Sequence, residues 1–174
     1  MTRAGLALGS NLGDRHAHLQ AALRCLRAIA IPGEAVLAAP IYQTAPHCCP
    51  PGAPEFLNTV VEIAYAGSAR DLLDHSRAIE TTLGRTRSTR NAPRNIDIDL
   101  LYHGTEWCNH ADLILPHPRL SERRFVLQPL ADIRPELVLP GHQLSIAELL
   151  ANLHSTEPPL VRLMSVNAPR RYHP

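Results

Sequence analysis

The chain has 174 residues, 45% of them hydrophobic and 19% charged, which suits a single globular domain over residues 1–174 and leaves no apolar run long enough to cross a bilayer. Seventeen Lys and Arg against sixteen Asp and Glu leave a net charge of +1, which argues against attachment to nucleic acid by bulk charge. The N-terminus turns polar and Gly-rich before any stretch of secretory length, and the four cysteines include no C-x-x-C, so a cytoplasmic location with reduced thiols is expected.

Residues 4–8 form a short apolar run ending at G-S-N-L-G-D, the punctuation expected between a buried strand and a helix. From Asp14 onward Leu19, Leu23, Leu26 and Ile29 recur at helical spacing until Pro32-Gly33, an amphipathic helix of about four turns. Residues 35–43 read as a strand in which Pro40 cannot donate to a ladder, so an edge position or a bulge is expected. Residues 44–54 are proline-rich and read as a long loop, a feature that is often functional in a compact domain.

Residues 55–65 alternate, with Leu57, Val61, Ile63 and Tyr65 on one face and Phe56, Asn58, Val60 and Glu62 on the other. Ser68, with Asp71 three residues on, opens a second helix that carries Leu72, Ile79 and Leu83 and stops at Gly84. After an arginine-rich loop, residues 95–102 read as a strand with Ile96, Ile98 and Leu100 on one face and Asn95, Asp97 and Asp99 on the other. The order βαββαβ is the split arrangement of ferredoxin-like domains, an α+β fold in which two helices cover one face of an antiparallel sheet. C-terminal additions follow: Trp107 and residues 113–115 suit short strands, and Ser121 to Ile133 reads as a helix shortened or kinked by Pro129. Ser145 with Glu148 starts another helix, and the tail after Glu157 carries no recognisable element.

Asp97 and Asp99 are two apart on a strand, so their carboxylates leave the same face close together. Like charges so placed call for a shared proton, basic neighbours or a cation, and a hard oxygen-only donor pair suits Mg²⁺ with substrate phosphates. Taken alone the pair also fits a solvated strand face. Arg85, Arg87, Arg90 and Arg94 in the preceding loop turn the balance towards a polyphosphate site, since arginines pair with the phosphate oxygens a metal leaves free. An RNA-binding patch is the rival reading, but two Phe and one Trp are few for a stacking platform. Phe56 beside Asn58 suits a flat heteroaromatic ligand, or else a second small core. In P-H-P-R-L-S-E-R-R-F, His117, Arg119, Arg123 and Arg124 add further candidate ligands.

The run R-N-A-P-R-N-I-D-I-D-L-L at residues 90–101 resembles the signature of the 6-hydroxymethyl-7,8-dihydropterin pyrophosphokinases of folate biosynthesis. Similar support comes from G-S-N-L-G-D-R at 9–15, Y-Q-T-A-P at 42–46, F-L-N-T-V-V at 56–61, P-H-P-R at 116–119 and R-F-V-L-Q-P-L at 124–130. The resemblance implies that Asp97 and Asp99 bind two Mg²⁺ ions carrying ATP, and that the pterin hydroxymethyl oxygen attacks the β-phosphorus with AMP leaving. It also implies that the pterin stacks between Phe56 and Phe125, its polar edge read by Asn58 and the backbone near Thr44 and Pro46. Arg85, Arg94, His117 and Arg123 are then phosphate ligands, and Arg77 and Glu80 line the nucleotide side. A monomer acting on small molecules is implied, with no nucleic-acid or membrane partner. The chain departs from some members in Asn91, where they carry tryptophan, in a shorter arginine loop, and in Cys48-Cys49.

Overall fold

A computed structural model describes residues 1–45, 54–84, 94–154 and 159–165. The strand β1 spans Thr2–Ser10 and is followed by helix α1, Arg15–Ile29, whose first turn is capped by Asp14 Oδ1 accepting from the Ala17 amide at 3.0 Å. The expected strand over 35–43 divides into β2, Leu37–Ala38, and β3, Pro40–Thr44. The break falls where proline forbids a ladder bond: Pro40 opens β3, and the register shifts between Pro40 and Tyr42.

Strand β4 spans Phe56–Tyr65, helix α2 Ala69–Thr82 and strand β5 Asp97–His103. The capping box of Ser68 and Asp71 is present, each side chain bonding the other's backbone amide. A hairpin follows, β6 at Cys108–His110 and β7 at Leu113–Leu115, with Trp107 just outside it and exposed. The segment expected as one helix from Ser121 is a 3-10 turn at Leu120–Glu122 and then α3 at Arg124–Ile133, which contains Pro129. Helix α4, Ile146–Ala151, starts at the Ser145–Glu148 capping box. The reading of the tail as elementless is corrected by β8, Val161–Ser165, which pairs antiparallel with β3. Its signal was weak because it is short and follows two prolines.

The sheet runs β5-β1-β4-β3-β8, with β2 beside β4, and every pairing is antiparallel. The first four strands of this order are those of the ferredoxin-like core. Ala4, Leu6 and Leu8 of β1, Val61 and Ile63 of β4, and Ile98 and Leu100 of β5 pack against Leu19, Leu23, Leu26, Leu72 and Ile79 of α1 and α2. A second core lies on the opposite face, where Val60, Leu101 and Tyr102 meet Val126, Leu127 and Leu130 of α3 and Ile146 of α4.

Strand β5 begins at Asp97 rather than at Asn95, and the faces read from Asn95 to Leu100 are kept, with Ile96, Ile98 and Leu100 in the first core. A bulge between Gly5 and Leu6 of the β1–β5 ladder carries both Leu101 and Tyr102 into the second core. Gly5 is required there, since a Cβ would lie 2.2 Å from the Tyr102 ring. Among the described residues no helix is long and apolar enough to cross a membrane.

Candidate active site

Register brings the separate polar faces together. Gly9 of β1 stands between Asp97 of β5 and Asn58 of β4, and Asn58 stands opposite Tyr42 of β3, so one row crosses four strands. Asp99 lies one step along, opposite Ala7, which in turn faces Val60. Directly opposed residues share a face. The carboxylates therefore occupy the same side of the sheet as Phe56 and Asn58, beyond the part that α3 and α4 cover.

A Cβ at Gly9 would lie 2.9 Å from Asn58 Oδ1 and 3.9 Å from the Phe56 ring, so glycine leaves a flat floor between the carboxylates and the amide. Asn58 is buried, and its Nδ2 donates to Thr44 Oγ1 at 2.8 Å, which orients its carboxamide. Phe56 is half-buried and pairs with Thr44 across β4–β3. Phe125, also half-buried, sits in the first turn of α3 against the second core.

Each carboxylate has a guanidinium beside it. Arg94 Nη1 donates to Asp97 Oδ2 at 2.8 Å, and Arg123 Nη1 lies 3.6 Å from Asp99 Oδ2 with its guanidinium 5.5 Å from the Phe125 ring centre. The Asp97 and Asp99 side chains remain 24% and 42% exposed, so neither is sealed from a ligand. Among the described residues no group of three or more His, Cys, Asp or Glu could hold a metal. Two carboxylates with no nitrogen or sulfur partner do not make a structural zinc site. They do fit Mg²⁺, which takes one or two carboxylates and completes its shell with phosphate oxygens and water.

The His117 amide donates to the Leu101 carbonyl at 2.8 Å, which ties the segment after the hairpin to β5. Its Nδ1 accepts from the Arg119 amide at 3.2 Å, so the neutral ring carries its proton on Nε2. Burial, assisted by the nearby Arg119 charge, pushes the His117 pKa below its usual 6.5. At neutral pH it is an uncharged donor.

On α2, Glu80 is buried and its Oε1 accepts from the Ile98 amide at 2.7 Å, satisfying a donor on the outer edge of β5. Arg77 is exposed and lies 3.5 Å from Asp74. Beside them, along the edge of β5, is a cleft of about 270 Å³ whose apolar walls include Leu73, Leu100, Leu113 and Ile114, with Asp99 and His117 also lining it. Arg70 grips Asp112 with two bonds, one of 2.8 Å to Oδ1, and holds the hairpin against α2. That bond keeps the Asp112 carboxyl below its ordinary range. This cleft had no counterpart in the sequence reading, because three-residue strands leave little periodic signal. Pro46, Cys48, Cys49, Arg85, Arg87, Arg90 and Asn91 lie outside the described residues.

The family model of 7,8-dihydro-6-hydroxymethylpterin-pyrophosphokinase matches residues 5–135. The chain is 41% identical over 157 residues to the 2-amino-4-hydroxy-6-hydroxymethyldihydropteridine pyrophosphokinase of Methylorubrum extorquens, covering 88% of this chain and 94% of that one. It is 42% identical over 130 residues to the protein of the same name from Bacillus subtilis, covering 75% and 77%. Among solved structures, wild-type HPPK-DHPS of Plasmodium falciparum superposes with a TM-score of 0.67 at 13% identity, over 86% of this chain, which spans 44% of that longer one. The last likeness is one of fold. From the family model and the two relatives, the chain belongs to the 7,8-dihydro-6-hydroxymethylpterin-pyrophosphokinase family.

Proposed function

We propose that this chain moves the terminal diphosphate of ATP onto the hydroxymethyl oxygen of 6-hydroxymethyl-7,8-dihydropterin, releasing AMP, as a step of folate biosynthesis. The observation that carries the reading is the single sheet face on which an arginine-paired carboxylate couple, Asp97 and Asp99, adjoins Phe56 and Asn58 across Gly9. Family membership supports the same reaction.

In this reading Asp97 and Asp99 hold two Mg²⁺ ions, which when bound with ATP lower the pKa of the hydroxyl and neutralise charge on the phosphates. The hydroxymethyl oxygen attacks the β-phosphorus, the bond from that phosphorus to the α,β-bridging oxygen breaks, AMP departs and the hydroxyl proton passes to solvent. Arg94 and Arg123, with Arg85, pair with phosphate oxygens, and His117 offers its Nε2 proton without adding charge. The cleft beside Asp99, where Leu73, Leu100, Leu113 and Ile114 alternate with polar groups, suits the base of the nucleotide, with Arg77 and Glu80 on the same helix as Leu73. Phe56 and Phe125 stack on the pterin, and Asn58, Thr44 and Pro46 read its polar edge. No strong general base is needed, because positioning and electrostatics supply most of the barrier reduction.

We read the working unit as one domain and a monomer, in the cytoplasm. Weighing against the RNA-binding alternative, α3 and α4 cover part of the sheet face on which bases would stack.

The decisive assay incubates the protein with ATP, Mg²⁺ and the pterin and follows AMP. Pterin-dependent AMP is expected, reduced on the order of 10²–10³-fold by Asp97→Ala. No pterin-dependent AMP, or an undiminished rate in the variant, overturns the assignment. Two equivalents of Mn²⁺ taken up per chain with ATP would support the ion count, and sedimentation reads the oligomeric state.

A further inference from the structure

Asn11 is a polar side chain only 1% exposed, and its bonds reach across the chain. Its amide donates to the Arg94 carbonyl at 3.2 Å, and its Oδ1 accepts from the Arg94 amide at 2.8 Å. Its Nδ2 meets the Pro54 carbonyl at 3.5 Å. Four residues on, Arg15 Nη1 donates to the Glu55 carbonyl at 2.7 Å, so the same short segment holds the approach to β4 twice.

The β1–β5 ladder has its last pair at Gly9 and Asp97. Arg94 lies beyond that pair, and no strand register fixes its backbone. Asn11 takes over there, bonding both the N–H and the C=O of a single residue as an antiparallel neighbour would, with one of the two bonds made by a side chain. The Arg94 guanidinium then meets Asp97 at 2.8 Å.

We propose that Asn11 is a positioning residue: it prolongs the β1–β5 ladder by a side-chain bond, sets the backbone of Arg94 so that its guanidinium engages Asp97, and links that setting to Pro54, two residues ahead of Phe56. The inference rests on the reading of Arg94 and Asp97 as part of the ATP site. A buried asparagine that merely satisfied a turn would affect folding and all substrates alike. One that acts through Arg94 affects catalysis only while the guanidinium is present.

The test is a double-mutant cycle of Asn11→Ala and Arg94→Ala. It is read as kcat for AMP formation and, separately, as affinity for Mg²⁺ with α,β-methylene ATP by calorimetry. Asn11→Ala alone is expected to lower kcat by about 10²-fold, the scale of a misplacement near 1 Å. In the Arg94→Ala background it should cost less than about twofold, because coupled residues are not additive. Asn11→Asp, which keeps the acceptor for the Arg94 amide, should recover kcat to within about tenfold of wild type. Equal losses in both backgrounds, or no recovery by Asn11→Asp, overturn the proposal. If Asn11→Ala does not fold, Asn11→Ser carries the same cycle. A wild-type protein that forms no pterin-dependent AMP defeats the reaction assignment instead, and the nucleotide-affinity arm still decides the role of Asn11.

Discussion

His117 illustrates how the tertiary setting gives one side chain its chemistry. Half-buried, and placed near the Arg119 charge, it resists protonation in the folded protein, whereas the unfolded chain titrates near 6.5. On acidification through that value the unfolded state takes up a proton the folded state refuses, so stability falls until the folded-state pKa is also passed. The urea midpoint should therefore drop with falling pH below about 6.5, and His117→Asn should flatten that slope. An equal slope in both proteins would remove His117 as its source. The residue itself was legible in P-H-P-R, and its depressed pKa was not, because desolvation depends on what the chain folds over it.

Among the elements, β1 does the most to assemble the site, since it is the strand that Asp97 and Asn58 both face through Gly9. Replacing Gly9 with alanine would put a methyl 2.9 Å from Asn58 Oδ1 and push the carboxamide off its bond to Thr44. On the proposal that Asn58 bonds the pterin edge, losing that one neutral hydrogen bond predicts a rise in pterin KM of about tenfold, with the KM for ATP little changed. Steady-state kinetics with each substrate varied in turn decides it. An unaltered pterin KM would move the pterin away from this floor. The polar faces of β4 and β5 were readable as period-two patterns, and so were the two capping boxes. The tie from Asn11 to Arg94 was not, because an asparagine in a G-S-N turn looks like turn punctuation until its partner 83 positions away is brought beside it.

Across the whole molecule, one carboxylate joins the layers. Glu62 of β4 is fully buried and accepts from Arg3 Nε at 2.7 Å, from Arg134 Nη1 at 3.0 Å after α3, and from the Tyr102 hydroxyl of β5. Burial and the neighbouring carboxylate raise the Tyr102 pKa, so its hydroxyl stays a donor. Glu62→Ala would leave a buried hydroxyl without an acceptor and two partly exposed guanidiniums without a counter-charge, a cost of about 3 kcal/mol. Chemical denaturation should register the loss, with Glu62→Gln less affected. A wild-type midpoint in Glu62→Ala would mean that the network contributes nothing to stability. In the sequence, Glu62 only made the second face of β4 look mixed; the structure accounts for it as the polar centre of a second interface.

What the sequence determined by itself was local: helix caps, the strand periods, the faces that carry Asp97, Asp99, Phe56 and Asn58, and the motifs that resemble one family. Only the tertiary structure decided that those faces are one face, that a bulge sends Leu101 and Tyr102 into a second core, and that β8 completes the sheet. The physical reason is that alternation within a strand follows from backbone geometry, whereas register between strands about fifty to a hundred residues apart is set by which side chains can be buried together.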